Sequence, residues 1–215
     1  MSLYSPPQEP VRYVHVDDHL IVIDKASGLL SVPGRGAEKA DCAVARVAAD
    51  YPGALTVHRL DMSTSGLLIL ARSKKMQAAL SGLFERGEVE KAYIADVWGT
   101  PDPPSGEIDL PLITDWPNRP RQKVDHDIGK PSRTLYEVTE TAADHARLQL
   151  TPLTGRSHQL RVHLAEIGHP ILGDELYAHD AAMAAAPRLC LHAARIAFDH
   201  PATGDRLALS LPCPF

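Results

Sequence analysis

The chain has little of what marks several large classes of protein. Among 215 residues there are three cysteines, Cys42, Cys190 and Cys213, odd in number, far apart and without a CxxC pair. This argues against a disulfide scaffold or a zinc finger and suits a reduced, cytoplasmic setting. No apolar run reaches the length of about eighteen residues that a membrane helix needs, so no membrane association is expected. The start, Met1 to Pro10, is polar and proline-rich and has no charged segment leading into an apolar one, so no signal peptide is expected. Positive charge is also short: 22 Lys and Arg face 27 Asp and Glu, a net charge of -5. That counts against a protein that coats nucleic acid, since non-specific affinity comes from neutralised phosphates, but it leaves room for a local basic cleft. There is no HExxH and no GxSxG, and Gly34-Arg35-Gly36 is too short for a nucleotide loop.

Hydrophobic residues make up 44 % of the chain, enough for a sizeable core. Arg12 to Val16 and His19 to Asp24 read as short strands. Asp41 is placed to cap a helix that presents Val44, Val47 and Ala48. Leu67 to Ala71 reads as a buried strand. Ser73 is placed to cap a helix with Met76, Leu80, Leu83 and Phe84 on one face, ended by Gly87. Ala92 to Trp98 alternates like a strand, and a proline-rich connection, Pro101 to Gly106, follows. Thr134 to Thr139 and Ala146 to Thr151 read as a strand pair. Ser157 is placed to cap a helix carrying Leu160, Leu164 and Ile167. A helix over Asp180 to Ala186 precedes strands at Leu189 to Phe198 and Arg206 to Leu211. Without regular βαβα alternation, the expected class is α+β, a predominantly antiparallel mixed sheet flanked by helices, in one domain over residues 1–215.

Two segments concentrate polar chemistry. Asp61 lies in His58-Arg59-Leu60-Asp61, just ahead of Thr64-Ser65-Gly66. Taken locally, it is either a turn-forming aspartate or a carboxylate aimed into a cleft. The run Thr154-Gly155-Arg156-Ser157-His158-Gln159-Leu160-Arg161-Val162-His163 reads locally as a solvated amphipathic helix. His58, Asp61 and Ser63 or Ser65 suggest a hydrolase, but triads are normally assembled from distant segments. Of eleven histidines, His158 and His163 are five apart and do not share a helical face, so no metal site is expected. Two stretches, Arg72 to Lys91 and Arg119 to Arg133, are locally basic and would also suit a non-catalytic RNA-binding module.

Together the segments carry a resemblance. His58 to Leu68 is similar to the catalytic motif of the RluA family of pseudouridine synthases, Lys91-Ala92-Tyr93 to the family's basic-x-tyrosine motif, Thr154 to His163 to its later motif, and Leu191-His192-Ala193 to its closing motif, all in the family's order. The resemblance runs from about Tyr13 to the C-terminus. It implies the pseudouridine synthase fold, with an active-site cleft across the sheet, and no cofactor, because the reaction is an isomerisation. It implies that Asp61 is the catalytic residue, acting on C1′ as a nucleophile, on the C2′ proton as a base, or on C6 of the base. Arg161 is implied as the partner of that carboxylate, Tyr93 as the ring that stacks on the target base, Leu191 as an apolar wall, and Arg59 as the side chain that fills the space of the flipped base. Asp109 to Leu112, Asp115 to Pro120 and Pro6 to Pro10 resemble a member of the family that acts on a tRNA anticodon loop and a 23S rRNA loop. Structured RNA of those two kinds is therefore the expected partner. The chain is expected to work as a monomer and to lack the small N-terminal S4 domain of larger relatives.

Overall fold

The computed structural model describes residues 4–215; Met1 to Leu3, the beginning of the segment read as lacking a signal peptide, lie outside the described residues. In chain order the elements are β1 (Arg12–Val16), β2 (Leu20–Lys25), a 3₁₀ turn at Ala37–Lys39, α1 (Ala43–Asp50), β3 (Leu55–Thr56), β4 (Ser65–Ala71), α2 (Lys74–Arg86) and β5 (Glu90–Trp98). There follow β6 (Ser105–Asp109), β7 (Leu112–Thr114), β8 (Gln122–Val124), β9 (Arg133–Thr141), β10 (His145–Pro152), α3 (Gln159–Glu166), α4 (Asp180–Ala184), β11 (Leu191–Asp199) and β12 (Arg206–Ser210). No helix among them is long and apolar enough to cross a membrane. The elements fall into two compact units. One comprises the chain up to Lys91 with Ala193–Pro214, and the other comprises Ala92–His192 with Phe215.

In the first unit the strand order is β1-β2-β4-β11, with β3 on β4 and β12 on β11. β2 pairs antiparallel with β4, Leu20 opposite Ala71 and Lys25 opposite Gly66. Every residue of β4 is buried. A strand covered on both faces must be apolar on both, which is why Leu67 to Ala71 runs without alternation. α2 closes one face through Met76 and Leu80. Its ends behave as its sequence predicts: Ser73 accepts from the Met76 amide, and Gly87, left-handed at φ 72°, returns its amide to Leu83 and Phe84. α1 does not start as predicted. Its N-cap is Cys42, without a side-chain bond, because the Asp41 carboxylate is taken by the Arg46 guanidinium at 2.7 Å through both oxygens.

Gly66, the second residue of β4, has φ +112°, and a Cβ there would meet the backbone of Ala193 in β11, with the carbonyl oxygen 2.4 Å away. Only glycine allows this approach.

In the second unit β5, β10, β9 and β6 lie side by side, each neighbouring pair antiparallel. The predicted pairing of the two strands around residues 134–151 is present as β9 and β10, with Leu150 opposite Tyr136. A separate two-stranded hairpin is formed by β7 and β8. The core of this unit gathers Ala95, Val97, Leu148, Leu150, Leu160, Leu164, Ile171 and Leu191. The expected cap of α3 is corrected: His158, not Ser157, is the N-cap, at φ 53°, and the preceding Arg156 amide is satisfied by the Gln159 side chain at 3.0 Å. The architecture is α+β; the pairs β1–β2, β2–β4, β3–β4, β11–β12, β5–β10, β9–β10, β6–β9 and β7–β8 are antiparallel.

Candidate active site

Asp61 sits half-buried in the loop between β3 and β4, with Arg59 exposed two positions earlier. The loop's backbone is held on several sides. The Ser31 hydroxyl donates to the Leu60 carbonyl at 2.7 Å and accepts from the Leu60 amide at 3.1 Å. Ser27 donates to the Ser63 carbonyl at 2.7 Å, and the Thr64 amide donates to the Asp61 carbonyl at 3.2 Å. Lys25, wholly buried at the end of β2, donates from Nζ to the carbonyls of Ala26 at 2.9 Å, Leu29 at 2.7 Å and Met62 at 3.0 Å. The Met62 carbonyl also accepts from the Gly28 amide at 2.9 Å. A buried ammonium is tolerated only when its donors are satisfied, and here backbone oxygens satisfy them. The loop backbone on both sides of Asp61 is thereby fixed.

His58 anchors the other end of the loop. Its Nε2 accepts from the Ile69 amide of β4 at 3.0 Å, and its ring stacks on Phe84 at 4.5 Å. Burial, with the Lys91 ammonium nearby, pushes its pKa down to about 3. The direction agrees with the hydrogen bond, because a protonated Nε2 could not accept. His58 is therefore a neutral structural anchor, not a member of a hydrolytic triad.

In the second unit Arg161 lies in α3, 4 % exposed, and forks onto Asp174: Nε donates to one oxygen at 2.8 Å and Nη2 to the other at 2.6 Å. Asp174 also accepts from the amides of Leu176 at 2.8 Å and Tyr177 at 3.2 Å. The Arg161 guanidinium lies 5.2 Å from the Tyr177 ring centre, and the Tyr177 hydroxyl is 2.6 Å from His158 Nδ1. Two parallel charge-assisted bonds and an aromatic face fix the plane of the guanidinium, a geometry lysine cannot adopt.

The local reading of residues 154–163 as a solvated helix is overturned. Gln159 to Leu164 are all buried. The Gln159 amide nitrogen donates to the Arg133 carbonyl at 2.9 Å and to Thr134 Oγ1 at 3.0 Å, while its oxygen accepts from Thr154 at 2.7 Å. His163 donates from Nε2 to the Leu110 carbonyl at 3.1 Å and accepts at Nδ1 from Thr134 at 2.9 Å; burial lowers its pKa. Gln159, Arg161 and His163 are thus interior residues held by hydrogen bonds, whereas Arg156 and Ser157 stay exposed. Tyr93 lies half-buried on β5, opposite Leu150, and packs against the same core cluster that holds Leu191, itself 3 % exposed. Among the sequence-predicted residues, then, Arg59 and Asp61 share one loop of the first unit, while Tyr93 and Leu191 share the core of the second, beneath the helix that carries Arg161.

Sequence reasoning passed over Lys25, Ser31 and Asp174. The signal for Lys25 was a charge closing the apolar run Leu20 to Ile23, a placement that demands a buried set of acceptors. Among the described residues no group of three His, Cys, Asp or Glu side chains is arranged to hold a metal ion.

A family model described as RNA pseudouridylate synthase matches residues 19–166. The chain is 52 % identical over 217 residues to the dual-specificity RNA pseudouridine synthase RluA of Escherichia coli K12, covering 100 % of this chain and 99 % of that one. It is 51 % identical to the protein of the same name from Pasteurella multocida, covering 99 % and 98 %. Among solved structures it is similar to human RNA pseudouridylate synthase domain containing 1, with a TM-score of 0.78, 26 % identity, and coverage of 100 % of this chain and 86 % of the other. It is also similar to human RNA pseudouridylate synthase domain containing 4, with a TM-score of 0.75 and 25 % identity over 94 % and 88 %. The chain belongs to the RluA family of RNA pseudouridine synthases, isomerases that act on uridine in RNA.

Proposed function

We propose that Asp61 is the carboxylate on which the isomerisation turns. The observation that carries this is the clamped loop: Lys25, Ser27, Ser31 and Thr64 hold the backbone on both sides of Asp61 and so fix the place of its half-buried carboxylate. Pseudouridine forms when the N1–C1′ bond breaks and C5 bonds to C1′, with loss of the C5 hydrogen. An ionised Asp61 can attack C1′, remove the C2′ proton, or add to C6. No redox step occurs, so the reading needs no cofactor.

Arg161 is proposed to complement the Asp61 charge while Asp174 fixes its plane. Tyr93 is proposed to stack on the target base and Leu191 to support that pocket. The target uridine must leave its stack, at a cost of a few kcal/mol that is smallest in loops, and Arg59 is proposed to occupy the vacated space. The substrates are proposed to be a tRNA anticodon stem-loop and a 23S rRNA stem-loop, in keeping with the dual specificity in the relatives' name. The two units are taken as one catalytic domain, since the family match runs through the boundary at Lys91, acting as a monomer in the cytoplasm.

The test is tritium release from RNA labelled at uridine C5, on an isolated anticodon stem-loop and on protein-free rRNA. Wild-type protein is expected to release label from both, and a folded Asp61→Asn variant from neither, because the amide can neither attack as an anion nor accept the proton. Label released by the folded variant overturns the role of Asp61. An inert stem-loop beside modified rRNA places the chain with rRNA-only enzymes.

A further inference from the structure

The β7–β8 hairpin touches the site described above only at its base, through Tyr177 and Leu176, and its tip is built as a binding surface. Trp116 is 65 % exposed there. It is one of two tryptophans in a chain with only 5 % aromatic residues, and the other, Trp98, packs against the core of the second unit. The Arg119 guanidinium lies 4.6 Å from the centre of the Trp116 ring and covers one face. Arg121 and Lys123 are also exposed, so the hairpin carries three cations against Asp115 and Asp125, the latter paired with Lys123 at 3.7 Å, within a chain of net charge -5.

The tip is ordered by its own bonds. The Asp115 amide donates to the Arg121 carbonyl at 2.9 Å, the Asn118 amide to the Asp115 carbonyl at 3.0 Å and the Arg121 amide to the Asn118 carbonyl at 3.1 Å. The Asn118 side chain donates to the Asp115 carboxylate at 2.8 Å. At its base the Gln122 amide donates to the Tyr177 hydroxyl at 2.8 Å, and Arg121 donates to the Leu176 carbonyl. The tryptophan is therefore presented by a rigid support, which reduces the ordering cost of binding.

We infer that this tip is an RNA-binding platform on which a second, unpaired nucleobase of the substrate stacks on Trp116, with the neighbouring phosphates met by Arg119, Arg121 and Lys123. A flat apolar face beside clustered cations fits a nucleic-acid strand, whose bases stack on aromatic rings and whose backbone is anionic. The inference rests on the reading that the substrate is a local stem-loop, whose unpaired bases are available to stack.

The experiment is equilibrium binding of the anticodon stem-loop across a salt series, with tryptophan emission followed in parallel. Trp116→Ala is expected to weaken binding by at least about fivefold, the lower end for loss of one stacked base, without changing the slope of affinity against salt. The loss should fall on KM, and Trp116→Phe should restore most of it. Lys123→Gln should instead reduce the salt slope by about one phosphate contact. RNA should quench the emission of wild-type protein, and Trp116→Phe should remove that quenching. Unchanged affinity in Trp116→Ala, or quenching that persists in Trp116→Phe, overturns the inference. So does a defect confined to intact ribosomal particles, which would make the tip a protein-binding surface. Tritium release by wild-type protein separates the two readings: release with unaltered Trp116→Ala binding removes only the platform, whereas no release from any RNA removes the proposed stem-loop substrates.

Discussion

The loop around Asp61 and the helix around Arg161 are both rigid, but they are held in opposite ways. Around Asp61 the grip is on the backbone: buried Lys25 and Ser31 hold carbonyls and an amide of the loop. Around Arg161 the grip is on the side chain itself, whose two nitrogens are bound to Asp174 and whose face lies against Tyr177. The difference follows from the work expected of each group. On the proposed roles, the loop backbone sets where the Asp61 carboxylate sits, and the fork on Asp174 sets the plane of the Arg161 charge. Substitutions in the first support should cost stability more than chemistry, and those in the second should cost chemistry more than stability.

Lys25→Met is the largest test of that contrast. It replaces a buried charge with a side chain of similar length and takes this donor from three carbonyls, of which Met62 keeps the Gly28 amide, Ala26 keeps the Leu29 amide, and Leu29 loses the bond at 2.7 Å. Each buried acceptor left unmade costs about 1–3 kcal/mol, a large share of a typical margin of about 5–15 kcal/mol. A fall in the denaturation midpoint of many degrees is expected, with substantial turnover in whatever remains folded at low temperature. A variant as stable as wild type would show that Lys25 is not a structural clamp.

Arg161→Lys should show the reverse pattern. The positive charge stays and the volume is close, but the fork on Asp174 becomes at most a single contact. A stability loss of about 1–3 kcal/mol is expected for one charge-assisted bond, together with a strong loss of kcat. Stem-loop affinity and the denaturation midpoint measured beside tritium release separate the two costs. Full activity in Arg161→Lys would remove the distinction between the two regions.

How far this contrast could be read beforehand depends on the range of the interactions. The buried strand at Leu67 to Ala71 and the Ser73 cap rest on local sequence, and each was legible. Asp41 and Ser157 look like caps for the same local reason, yet Asp41 is drawn off by Arg46 and α3 begins two residues after Ser157, behind left-handed His158. Gln159 and His163 look like surface residues until Thr134 of β9 supplies their partners. Lys25 and Asp174 were missed because their partners are backbone groups or residues that only the folded chain brings near. β7 and β8 were missed because three-residue strands leave no period to detect.

His58→Gln is the smallest and most selective test, because it touches the backbone support without removing it. The glutamine oxygen can accept from the Ile69 amide as Nε2 does, so at neutral pH the loop should keep its anchor and lose only the ring packing on Phe84. The difference should appear in acid. An unfolded histidine titrates near 6.5, whereas His58 in the folded protein is held down to about 3. Between those values the unfolded chain binds the proton that the folded chain refuses, so the stabilisation is complete above about pH 6.5 and is lost as pH falls toward 3. Glutamine has no such proton. His163 and His192 are also held low, the latter to about 4, and remain in the variant, so its acid limb should become shallower without disappearing. Denaturant midpoints from pH 7.5 to 4 should therefore converge on, or cross, those of wild type as pH falls. Parallel profiles would mean that His58 is accessible to protons in the folded state, and that the end of the Asp61 loop is held by packing instead of by this hydrogen bond.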